Sequence, residues 1–332
     1  MGPGRSSLKA VGRTLAVAVT AVLLAVACGS AAEINWHDSY ETALEAAEKS
    51  GKPVFAFVYL SEQEKQSSGP REEIRIDRPG AAGRGQRIDL EQMLDQTLAD
   101  PEVVAASEQF EAVKVDLVDP ATDSARHALK VSPGVDTATE TRAAMYPISV
   151  FLDSTGSELF RRHGCMQPVG YAAQLGHAAR LHERREAVLD DPRDPVKRRA
   201  LGRAYMELDP TPGDRIHEAA VEHLEAAIRF DPENAEDANF DARVDLAIMR
   251  IPEAAEQSIE ELTQLQREDA DEHRALEIQY YTAVAHFVME DYAAARKLLR
   301  EFETDDRNSP YWDSPWTPEA LGLLEHIKQI TR

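Results

Sequence analysis

The run VFAFVYL, residues 54–60, is apolar throughout and of strand length, which predicts a strand buried on both faces of a sheet. Ahead of it, INW opens a strand. Tyr40, Ala43, Leu44 and Ala47 then recur at helical spacing behind Asp38 or Ser39 as N-cap, and Gly51 and Pro53 end the helix. Downstream, LEQMLDQTLADPEVVAASEQF has a helical period interrupted at Asp100-Pro101, EAVKVDL is a second strand, and another helix lies around Asp123 to Leu129. PISVFLD and ELFRRHG, joined by the turn STGS, read as adjacent antiparallel strands. VGYAAQLGHAARLHERREAVL closes the region as an amphipathic helix. The order β-α-β-α-β-β-α predicts an α/β domain with a mixed sheet.

The pattern changes after DDPRDP, a charged, proline-punctuated linker at residues 190–195. From there to Arg332 no stretch alternates as a strand does. Helical stretches come in pairs, 195–207 with 215–230, 237–249 with 252–267, and 272–288 with 291–304, followed by a last helix from Pro318 to about Ile330. A repeat of roughly 35 to 40 residues predicts a solenoid of helix pairs, each burying its apolar stripe against the next. Trp312 and Trp316, in SPYWDSPWTPEA, are expected to pin the last helix.

The first half resembles the thioredoxin-like superfamily. The pattern W-x-x-x-x-x-x-A-x-x-x-A-x-x-x-x-KP of its exported members is met by Trp36, Ala43, Ala47, Lys52 and Pro53. LADPEVVAASEQFEAVKVDL resembles the family's helix and Asp-ended strand, and MYPISVFLDSTGSELFRRHG its cis-proline strand and hairpin. The resemblance covers residues 33–188 and implies that Pro147 is the cis-proline, with Tyr146 facing the redox site; a trans proline opening a strand is the other reading. The first helix pair resembles a tetratricopeptide repeat. Leu201, Gly202 and Tyr205 stand in its first helix, and Ala220, Leu224, Ala227 and Pro232 in and after its second. Tyr292, Ala295 and Leu299 resemble the same second-helix pattern, and the middle pair is degenerate. The expected fold class is therefore an α/β thioredoxin-like domain (33–188), a linker (189–195) and an all-α tetratricopeptide-like domain (196–332). The charged linker suggests that a chain starting near Pro192 folds by itself.

The chemistry of the first domain is altered. Carried onto this chain, the family's redox pair falls near Gln63 and Gln66, and no acidic residue lies between Pro53 and Leu60 to move a proton. Thiol exchange needs a thiolate attacker and a resolving thiol, so dithiol oxidoreductase chemistry is not expected. Residues 61–89 are rich in charge, Gly, Ser and Pro, which predicts a mobile insertion or a partner-binding loop. Cys165, in HGCMQP, is expected to be a partly buried unreactive thiol; a mixed disulfide formed by Cys165 alone is the enzymatic alternative. His163, Cys165, His177 and His182 lack recognised metal-ligand spacing, and no cofactor motif is present, so neither metal nor cofactor is expected.

Residues 1–27 carry Arg5, Lys9 and Arg13 and then an apolar run, the pattern of an export signal. LLAVAC resembles a lipobox, which implies lipidation of Cys28 and a tether over 28–32; ordinary cleavage nearer Ala31 or Ala32 is the alternative. Loss of the leader's three basic residues would take the net charge from −22 to −25. Such a surface repels nucleic acid and anionic head groups. The expectation is an exported, lipid-anchored, non-catalytic protein of the envelope that binds another protein or peptide, with salt weakening the contact where the partner is basic.

Overall fold

The computed structural model describes residues 33–61, 96–132, 135–136, 146–208, 210, 214–268 and 271–331. Its N-terminal half carries a mixed five-stranded sheet and its C-terminal half is mostly helical. The first half runs β1 (Trp36–His37), α1 (Tyr40–Ser50), β2 (Val54–Tyr59), α2 (Pro101–Ser107), β3 (Glu111–Asp116), α3 (Asp123–Ala128), β4 (Val131–Ser132), β5 (Val135–Asp136), β6 (Ile148–Leu152), β7 (Glu158–His163) and α4 (Pro168–Asp190). The sheet order is β1-β3-β2-β6-β7. Strand β3 is parallel to β1 and β2, and β6 is antiparallel to β2 and β7. Strands β4 and β5 pair separately.

Local chemistry sets the boundaries. Ser39, one of the two N-caps expected, accepts the Thr42 amide at 3.2 Å, and Gly51 ends α1 at φ 72°, a conformation that suits glycine. Alternation along β2 divides the core. Val54, Ala56 and Val58 pack with Tyr40, Ala43 and Ala47 of α1 on one face, and Phe55 and Phe57 pack with α2 and α4 on the other. On that second face Phe151 stacks on Phe160 with ring centroids 4.6 Å apart and on Phe55 at 5.5 Å. Tyr171 of α4 is buried beside them, its hydroxyl 2.6 Å from the Ser149 hydroxyl, which satisfies both polar groups away from water.

The second half runs α5 (Pro195–Met206), α6 (Arg215–Phe230), α7 (Ala238–Arg267), α8 (Glu272–Val288), α9 (Tyr292–Leu299) with a 3₁₀ turn (Arg300–Phe302), and α10 (Thr317–Ile330). Helix α7 contains the expected middle pair within one element. At Ala254 the backbone leaves helical values (φ −147°, ψ 58°), two residues after Pro252. A proline has no N–H for the carbonyl four residues back and its ring crowds that turn. The chain folds back there, since Arg243 and Glu268 meet at 2.7 Å, whereas a straight helix would hold them about 37 Å apart. Trp316 stacks on Tyr280 and meets Tyr281 edge-on, fastening α10 to α8. Trp312 departs from expectation: it is 43% exposed, with Arg307 over its ring, because it lies in the open turn before Trp316.

Four residues, 191–194, separate α4 from α5, but the apolar packing does not stop there. Leu201, Ala204 and Tyr205 of α5, Leu208 and Ala220 belong to the same buried cluster as Phe55, Phe151, Phe160 and Leu181. The described residues fall in one compact unit. A chain starting near Pro192 would leave Leu201 and Tyr205 without the sheet-side groups that cover them.

The first hairpin packs tightly at Gly202. A Cβ added there would sit 2.8 Å from Leu224 Cγ and 3.2 Å from the Ala220 carbonyl oxygen. Gly202→Ala should therefore lower stability. Overpacking costs about 1–3 kcal/mol, against the roughly 1 kcal/mol that alanine gains over glycine in a helix. Urea unfolding checks this; a variant more stable than the parent would mean the two helices are not held in contact.

Candidate functional site

The end of β2 is the place where the sequence suggests an altered redox site. Extending the β2–β6 register by two residues sets Leu60 opposite Tyr146, and both are half-buried against the valine-rich face of the core. The Tyr146–Pro147 peptide is cis, Pro147 is buried, and its carbonyl accepts the Gly164 amide at 2.7 Å. Asp116, at the end of β3, accepts the Ser61 and Val118 amides at 3.1 Å each, so this carboxylate holds the exit of β2 in place. Burial, with Asp116 and Asp119 nearby, raises the pKa of Tyr59. Gln63, Gln66 and Cys28 lie outside the described residues, as does nearly all of the 61–89 segment.

Cys165 is half-buried on the other face, against the phenylalanine cluster. Beside it, the Met166 carbonyl accepts the Thr97 hydroxyl at 2.9 Å, fastening this turn to the chain ahead of α2. His182 is buried on α4 with Nε2 2.9 Å from the Gly51 carbonyl oxygen, and His177 lies 3.3 Å from Glu207. No group of three or more metal-ligating side chains occurs among the described residues. None of their helices is long and apolar enough to cross a membrane.

Leu201, Gly202, Tyr205, Ala220, Leu224 and Ala227 of α5 and α6 are buried, Leu201, Tyr205 and Ala220 in the sheet-side cluster and Leu224 and Ala227 with Ala242 of α7, and Pro232 is exposed at the turn after them. The neighbouring Asp231 is buried and takes the Ala235 and Ala238 amides at 2.7 and 3.2 Å, fixing the turn into α7.

A charge network missed by the sequence reading joins the first helices of the three hairpins. Asp245 of α7 is fully buried and takes Arg199 Nε at 2.8 Å and Arg203 Nη1 at 2.7 Å, both from α5. Arg203 also reaches Glu277 of α8 at 2.7 Å, while Asp241 takes Arg199 at 3.2 Å and Arg274 of α8 at 2.8 Å. Burial pulls the Arg203 pKa down, but Asp245 and Glu277 outweigh it and hold the value above the ordinary one, so this guanidinium stays charged. Its signal in the sequence is spacing. Arg199 and Arg203, and Asp237, Asp241 and Asp245, are like charges four apart, which repel on an isolated helix and call for opposite charges across a seam.

No family model, curated protein or solved structure matches this chain. Its role is therefore read from its own geometry. That geometry assigns the network to register between hairpins, because its central carboxylate has no solvent-facing surface to offer a ligand. Asp245→Ala would take one carboxylate from each of two guanidinium groups and should cost about 3 kcal/mol, the low end of the range for breaking a buried pair because Arg199 keeps Asp241 and Arg203 keeps Glu277. Chemical denaturation measures it, and a loss indistinguishable from zero would contradict the assignment.

Proposed function

We propose that this is a non-catalytic protein of the cell envelope, with a redox-inactive thioredoxin-like domain and a tetratricopeptide-like helical domain that binds another protein or peptide. The observation that carries the reading is the strand order β1-β3-β2-β6-β7 with a cis Tyr146–Pro147 peptide beside the exit of β2, in a chain whose positions 63 and 66 are glutamine. Without thiols at those positions the sheet keeps its architecture and lacks the attacker and resolver of disulfide exchange. Cys165 does not restore the chemistry, since one half-buried thiol on the opposite face cannot cycle alone.

The reading includes export by the N-terminal segment and a lipid anchor at Cys28, supported by the basic leader, the apolar run and LLAVAC. Helix pairs packed side by side give the second half an extended surface, the kind on which repeat proteins bind partners. Function belongs to sites rather than to folds, so the binding surface must be tested directly.

Two assays on the mature chain test the proposal together. Insulin disulfides should be reduced no faster than without protein. Affinity capture from envelope extract should recover the same partner with wild type and with Cys165→Ser. Turnover above the blank, or a partner lost in Cys165→Ser, would move the protein to the thiol-dependent class.

A further inference from the structure

A groove of about 1020 Å³ lies where β7, the outer strand of the sheet, faces the α5–α6 hairpin. Its volume is at the upper end of ligand sites. The floor is apolar, formed by Leu201, Tyr205, Ile216 and Ala219, and Leu189 at the rim is 61% exposed. The rim charge opposes that of the protein. Among the described residues, five arginines and three carboxylates line the groove, in a chain of net charge −22. Two of those carboxylates are engaged: Glu158 by Arg161, and Asp214 as the cap that takes the His217 amide at 2.7 Å.

Arg185, Arg198 and Arg215 line the groove together with the Tyr205–His223 pair, whose rings stack at 5.9 Å. Asp153, in the β6–β7 turn, holds Arg185 at 3.2 Å. The Pro192 carbonyl holds Arg198 Nε at 2.8 Å, and its Nη1 lies 3.0 Å from His223 Nδ1. An arginine has five N–H donors in a fixed fork, so these anchors fix each head and leave donors for a ligand. Arg215 is exposed and forms no hydrogen bond or ion pair with a described residue. It is also the first residue of α6, where the positive end of the helix dipole disfavours a cation. Helix stability does not account for it. His223 has its pKa lowered by burial and by Arg198, which keeps the ring neutral and able to accept from that arginine.

We propose that this groove binds an acidic peptide segment carrying a leucine-sized side chain, with the apolar side chain on the Tyr205–Ile216 floor and its carboxylates on Arg185, Arg198 and Arg215. Inorganic anions do not need the floor, and an uncharged apolar peptide does not need the three guanidinium groups. The inference names a ligand chemistry for the helical half and rests on the binding role proposed above. Because its probe is synthetic, a failure here would leave capture of an envelope partner untouched.

The test is fluorescence anisotropy on the full mature chain, with a fluorescein-labelled peptide of glutamate, leucine and serine. Two companions replace every glutamate by glutamine or every leucine by serine. The parent peptide should bind in the micromolar range and each companion more weakly. Arg215→Glu should weaken the parent about tenfold, the order expected for losing one charge-assisted contact. Arg229→Glu, an exposed substitution at the far end of α6, should leave binding unchanged; circular dichroism establishes that both variants are folded. No binding of the parent peptide, equal binding of a companion, or equal affinity of the Arg215→Glu variant would each overturn the proposal.

Discussion

The stacking of Phe160 on Phe151, inside an apolar cluster that runs from the sheet through α4 to α5, is the contact on which the rest of the molecule depends. Phe160 belongs to the sheet's outer strand, and the cluster it joins continues through Tyr171, Leu175 and Leu181 of α4 to Leu201 and Tyr205 of α5. Burying these side chains away from water is the dominant favourable term in assembling the two halves. The contact also has a polar border. The Arg162 guanidinium donates to the Leu208 carbonyl at the end of α5, tying the outer strand to the first hairpin.

Charge is distributed by task. The chain carries 59 acidic side chains against 37 lysines and arginines. Among the described residues, buried Asp153, Arg161 and Asp245 each face an opposite charge, with Asp245 between Arg199 and Arg203, while buried Asp231 is held by backbone amides. A buried ion pair adds little net stability over apolar packing, but it penalises any register in which its partners fail to meet. The gap between β7 and α5–α6 gathers cations in an otherwise acidic molecule. That departure from the average sets this groove apart from the seam networks, which are closed and neutralised.

The elements were legible wherever apolar periodicity was strong. The buried run at 54–60, the β6–β7 hairpin with its STGS turn, and the helix pairs of the second half all stand within a few residues of where their patterns place them. The fold-back within α7 was legible from Pro252, because a proline inside an apolar-periodic stretch must break a helical hydrogen bond. Continuity of the core across residues 191–194 was not, since a charged proline-rich segment looks the same whether the flanking helices touch or not. The groove was invisible for a similar reason. Arg185, Arg198 and Arg215 lie on three different helices, and only tertiary packing brings them together.

Hydrogen exchange followed by mass spectrometry tests most directly whether the sheet and the first hairpin share one core. Amides of β2 around Phe55–Val58 and of α5 around Leu201–Tyr205 should open with free energies equal within about 1 kcal/mol, as members of one cooperative unit do. Tyr205→Ala should lower the protection of both by the same amount. Exchange of α5 through a far cheaper opening, with β2 unmoved by Tyr205→Ala, would contradict the account and make the helical half an independent body.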